Sequence, residues 1–97
     1  MIFIYQFSEE AEDFREIENK ENVPLFELLD SNKILLFVDS HNSKVWIWEG
    51  SNTTARMKFI SAQAAPHIRD AHDITYTITS VDDGEETAGF KVLVGLL

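Results

Sequence analysis

The feature that most constrains this chain is a pair of apolar runs, Ile34–Val38 and Val45–Trp48, separated by Asp39-Ser40-His41-Asn42-Ser43-Lys44. Each run is too short for a buried helix and is rich in β-branched and aromatic residues. The pair therefore predicts a β-hairpin with a short irregular loop. Neither run alternates. Successive strand side chains point to opposite faces of a sheet, so an uninterrupted apolar strand needs cover on both sides. In 97 residues that cover has to come from helices above and below, which puts the hairpin at the centre of the protein.

Length predicts one domain spanning residues 1–97, able to build a single core. No cysteine is present, which excludes disulfides, thiolate metal sites and cysteine nucleophiles together, and fits a reducing, cytoplasmic setting. The opening MIFIYQF lacks a basic leader and runs straight into Ser8-Glu9-Glu10, so it reads as a strand and not as a targeting signal. No apolar stretch approaches a membrane span. The net charge of −9 argues against nucleic acid and anionic membrane as partners, since both reward a basic patch. The acid is concentrated: nine carboxylates lie between Glu9 and Asp30, against Arg15 and Lys20. Its simplest reading is a solvated face that aids solubility.

Taken in order, Ile2–Phe7 reads as a strand. Ser8-Glu9-Glu10 has the form of a helix start, a serine cap followed by acids, and Ala11, Phe14 and Ile17 recur at near-helical spacing as far as Glu21. The alternative is a strand around Phe14–Glu18. Asn22-Val23-Pro24 breaks that segment, and Pro24 suits the first turn of a short helix, Leu25–Leu29. After the hairpin, Glu49-Gly50-Ser51-Asn52 predicts a turn, with Ser51 or Asn52 capping a long helix from Thr53. Pro66 is expected to end or kink that helix, leaving one further turn at His67–Ala71. Ile74–Val81 alternates as a strand near a sheet edge, with Ile74, Tyr76, Ile78 and Ser80 on one face. Asp82-Asp83-Gly84-Glu85 predicts a turn, and Phe90–Leu97 a short helix or strand.

The long helix carries two apolar stripes. At about 100° per residue, Ala55, Phe59, Ala62 and Pro66 fall on one line, and Met57, Ile60, Ala64 and Ile68 on the opposite one. A helix lying on a sheet needs only one such stripe. The other is covered by the rest of the chain or stays exposed to a partner.

Candidate chemistry is sparse. His67, Asp70, His72 and Asp73 are residue types that suit zinc, but their mixed spacing, with no third distant ligand, reads better as polar residues ending a helix. A metal-dependent enzyme built on them is the remotest reading. The Asp82–Glu86 acids lack the spacing of an EF-hand loop. No serine sits in a nucleophile elbow and no glycine-rich loop offers a phosphate cradle. Neither an enzyme nor a cofactor is expected.

Three segments in order resemble the gelsolin/villin family. They are Leu28-Leu29-Asp30-Ser31-Asn32-Lys33 leading into Ile34–Asp39, then Val45-Trp46-Ile47-Trp48-Glu49-Gly50, then Gly84-Glu85 followed by Phe90. The resemblance implies an α+β fold: a central mixed sheet of about five strands between one long and one short helix. It also implies a strand near Phe14–Glu18, and there it is preferred to the helical spacing.

The resemblance further implies actin as partner, bound by laying the long helix into a hydrophobic cleft. On that reading Met57, Lys58, Ile60, Ser61, Ala64 and Ile68 face the partner and the Phe59 stripe packs on the sheet. A single gelsolin-like domain would bind monomers and modulate polymerisation. Family calcium positions fall by register at Lys33 and Ala55, where neither side chain offers an anionic oxygen, so binding is expected to be calcium-independent. The alternative is a gelsolin-like module that self-associates or joins a larger complex without touching actin.

Overall fold

The computed structural model describes residues 1–97. Five strands form one sheet in the order β2-β1-β3-β4-β5. β1 is Ile2–Ser8, β2 Asp13–Ile17, β3 Ile34–Asp39, β4 Lys44–Glu49 and β5 Thr77–Asp82. All neighbours are antiparallel except β4 and β5, which run parallel and are joined through the long helix α1, Ala55–His72. A 3-10 helix, Leu25–Leu28, and a short helix α2, Ala88–Val94, complete the chain.

The expected hairpin is β3–β4, and every residue of β3 is buried. Alternate side chains feed two cores. Ile34, Leu36, Val38, Val45 and Ile47 lie on the α1 side with Phe7 and Phe14. Leu35, Phe37, Trp46 and Trp48 lie on the other side with Ile4, Val81, Phe90 and Val94. The two-sided cover demanded by the continuous apolar runs is present, supplied by α1 on one face and by α2 with the 3-10 helix on the other.

Three local expectations are corrected. The helix from Ser8 to Glu21 does not form; the strand implied by the resemblance does, as β2. Ser8 still caps, its Oγ accepting the Ala11 N–H at 3.2 Å, but it caps a turn. The strand prevails because β1 would otherwise present a bare edge, and β2 pairs with it along five residues. Strand geometry also sends Phe14 and Ile17 to opposite cores, with Phe14 edge-on to Phe7 at 5.6 Å. Second, the cap of α1 is Thr54, whose Oγ1 accepts the Met57 N–H at 3.1 Å, and not Ser51 or Asn52. Third, α1 passes through Pro66 to His72. Packing of Ala64 and Ala65 before that point and of Ile68 after it offsets the lost hydrogen bond.

β5 begins at Thr77, later than Ile74, because Asp73 stops α1 and starts a turn. Its Oδ1 accepts from both the Thr75 N–H and the Thr75 hydroxyl. β5 is a sheet edge, as its alternation suggested. The Phe90 segment is helical, ended by Gly95 at φ +90°.

Candidate functional site

Helix α1 is the one long element with an open side, and its orientation decides what the protein offers a partner. The sheet beneath it is built from large side chains, so the helix approaches through small ones. Ser61 and Ala65 are fully buried, with Met57 and Ala64 almost so. The Ser61 hydroxyl donates to the Lys58 carbonyl within the helix at 3.0 Å and is satisfied there. Ile60 and Ile68 are half-buried against the same core.

This reverses the expected orientation. Met57, Ser61 and Ala64 face the sheet and not a partner; Ile60, Ile68 and Lys58 lie on its flanks. Phe59, expected on the sheet, stands 65% exposed. Around it on the outward line are Ala55 and Ala62, both exposed, and Pro66, half-exposed. The sequence did hold a signal for this choice. Pro66 cannot donate to the Ala62 carbonyl, and an unpaired carbonyl is tolerated only where water reaches it. The proline therefore marks the solvent stripe, and Phe59 shares that stripe.

The flank of the ridge meets the β1–β2 turn. Arg56 Nη2 lies 3.0 Å from Glu12 Oε2, and Glu12 adopts φ +53°. Between turn and helix runs an open groove of about 470 Å³ lined by Glu12, Asp13, Ile60, Gln63, Ala64 and His67.

The other chemical candidates are tied up separately. His72 Nε2 hydrogen-bonds the Tyr5 hydroxyl at 2.8 Å and its ring stacks near Phe3. Asp70 pairs with Arg69, Asp73 holds Thr75, and His67 is exposed. These four side chains therefore do not converge on one point.

Nor do the residues at the two positions that the resemblance implies for calcium suit that ion. Lys33 presents an ammonium, 4.0 Å from Asp30, and Ala55 presents a methyl group. Nearby, Asp83 accepts the Ser31 hydroxyl at 2.6 Å and the Ser51 N–H at 3.0 Å, contacts that hold its carboxyl below the usual range. Asn32 Oδ1 accepts from Asn52 Nδ2 at 3.2 Å. Calcium requires six to eight oxygens about one point, and the side chains of Lys33 and Ala55 supply none of them.

The residues carrying the family resemblance turn out to be structural. Gly50 donates its N–H to the Lys33 carbonyl, and a Cβ there would collide with the carbonyl oxygens of Ser31 and Lys33. Trp48 Nε1 donates to Glu86 at 2.8 Å. Phe90 stands edge-on to Phe37 and Trp46 at 5.6 and 5.8 Å.

No family model matches this sequence, and no curated protein matches it. Among solved structures the chain is similar to Thorarchaeota ProGel in its complex with rabbit actin. The TM-score is 0.80 at 21% identity, covering 98% of this chain and all of that one. It is also similar to Thorarchaeota 2DGel3, again in complex with rabbit actin, with a TM-score of 0.66 at 24% identity. That match covers 92% of this chain and 43% of the other. The likeness establishes the architecture as gelsolin-like, the α+β fold that the residue motifs implied.

Proposed function

We propose that this protein binds actin, or an actin-like protein, through the outward ridge of α1, holding monomers and thereby modulating polymerisation. The carrying observation is Phe59, 65% exposed at the centre of an apolar line with Ala55, Ala62 and Pro66, on a gelsolin-like fold. Anchors three to seven residues apart on one face are what a helix presents to a hydrophobic groove. That ProGel and 2DGel3 were each crystallised with rabbit actin supports the choice of partner. The role is binding and not catalysis. We read the binding as calcium-independent, on the donor chemistry at Lys33 and Ala55. An actin partner would place the protein in the cytoplasm; no helix is long and apolar enough to cross a membrane.

Pyrene-actin polymerisation with and without the full chain tests the reading, with and without calcium chelator. The expected result is a slower or smaller rise in fluorescence, insensitive to chelator and abolished by Phe59→Asp. No change in rate or extent, together with no co-elution with monomer, would sink it for the actin used.

A second reading is favoured by a separate observation. On the opposite face of the sheet Phe26, Val92, Leu96 and Leu97 are also exposed, which suits a module that self-associates or docks in a larger complex. A stable dimer in light scattering that survives Phe59→Asp but not Val92→Asp would favour it.

A further inference from the structure

We propose that the groove between the β1–β2 turn and α1 is a second contact for the partner held by the ridge, and that it receives a lysine or arginine side chain. The inference rests on the reading that α1 faces a protein, and it adds what the flank of that helix recognises.

The groove is amphipathic in a particular way. Ile60 and Ala64 supply apolar surface, Glu12 and Asp13 supply carboxylates, and Gln63 and His67 line the helix side. No lysine or arginine lines it. An anion would be repelled by the carboxylates. A hydrated metal ion would gain nothing from the isoleucine and alanine surface. A long basic side chain matches both parts, its aliphatic stem lying on apolar surface while its charged head reaches the acids.

The carboxylates retain capacity for such a guest. Asp13 uses Oδ1 to accept the Phe14 N–H at 2.8 Å, and Glu12 uses Oε2 toward Arg56. Each ionised carboxylate offers about four acceptor sites. The Arg56–Glu12 pair is itself largely exposed, with side chains 64% and 53% accessible, so exchanging Arg56 for an incoming cation costs little. Glu9 and Glu10, exposed on the same turn, add to the negative field.

Position links the groove to the ridge. Gln63, His67 and Ile60 lie roughly 40° to 100° around the helix from Phe59. A partner that closes over Phe59 therefore passes over the groove as well. The acidic β1–β2 turn, which composition alone assigns to solubility, becomes the polar rim of the interface. Rim charges act chiefly on association rate and salt dependence.

The test compares three full-length proteins binding rabbit actin monomer at low and at physiological salt: wild type, Phe59→Ala, and the double variant Glu12→Gln/Asp13→Asn. Gln and Asn keep an acceptor for Arg56 and for the Phe14 N–H, and an unchanged melting temperature confirms the fold. The double variant is expected to bind about fivefold more weakly at low salt and to show a shallower salt dependence. Phe59→Ala is expected to bind more than tenfold more weakly at either salt while keeping the salt slope. If the double variant matches wild type in affinity and salt slope while Phe59→Ala is weak, the groove proposal is overturned and the ridge stands. If wild type itself does not bind, the ridge reading falls and takes the groove with it.

Discussion

The two faces of the sheet solve the same problem in opposite ways. On the α1 side the large residues belong to the strands, and the helix comes down on Ser61, Ala64 and Ala65. One helix of 18 residues, capped by Thr54, covers that face and keeps a whole side free. On the other side the cover is short, and its hold depends on large inserted side chains. α2 has seven residues, too few to persist alone, and is held by Phe90 against Phe37 and Trp46. Glu86, just before α2, is tied to the Trp48 indole. A long helix packed through small residues leaves surface available for recognition; short helices packed through aromatics commit most of theirs to the core.

The strongest way to break this contrast is at Phe90. Phe90→Ala should cost about 3–5 kcal/mol in urea unfolding, since it empties the aromatic cluster that holds α2. A loss below about 1 kcal/mol would mean that α2 does not depend on it. On the α1 side, Pro66→Ala should raise stability by about 2 kcal/mol, restoring a helical hydrogen bond against a smaller gain in unfolded-chain entropy. A destabilised variant would show that the proline meets a packing need.

The faces also carry carboxylates whose pKa values move in opposite directions. On the α1 side, burial raises Glu49, helped by hydrogen bonding and charge from Asp82 and opposed by Lys58. The folded state then holds that proton more tightly than the unfolded chain. The stability it contributes is present at acid pH and is lost as pH rises through the raised value. On the other side, burial works against ionisation of Glu86, but hydrogen bonds from the Trp48 indole and the Gly84 N–H overcome it and lower its pKa. Its contribution is present at neutral pH and lost as pH falls through the lowered value. Glu49→Gln should therefore stabilise the protein at neutral pH and Glu86→Gln destabilise it, both differences shrinking on acidification. Urea midpoints across that range decide it; the same sign for both variants would refute the assignment.

The smallest effect is expected where the proposed function is concentrated. Phe59→Ala should change stability by no more than about 0.5 kcal/mol in the same unfolding assay. A loss of 2 kcal/mol would place Phe59 in the core and reverse the orientation of α1.

The centre of this fold was legible from one hairpin. Two continuous apolar runs with a polar loop require a sheet covered on both faces, because strand side chains alternate whatever surrounds them. The family resemblance was legible for a related reason. Gly50, Trp48 and Phe90 answer packing demands that few other residues meet. The same cause hid the candidate site. Phe59, Ala62 and Gln63 stand exposed and take no part in the core, so no packing motif marks them, and only Pro66 pointed to the outward stripe.

What the sequence determined by itself was local and periodic: β1, the hairpin, the long helix with its two stripes, the turn at Gly84, and the lack of donors at Lys33 and Ala55. What only the tertiary structure decided was which competing local preference prevailed. The spacing of Ala11, Phe14 and Ile17 gave way to β2 because an adjacent strand edge offered backbone pairing. Pro66 stayed inside α1 because the sheet held both sides of it. Ser61, Ala64 and Ala65 went down and Phe59 stayed out because the strands already filled the interface with large side chains and left room chiefly for small ones. Periodicity places residues on the same stripe of a helix; only the surface opposite decides which stripe is buried.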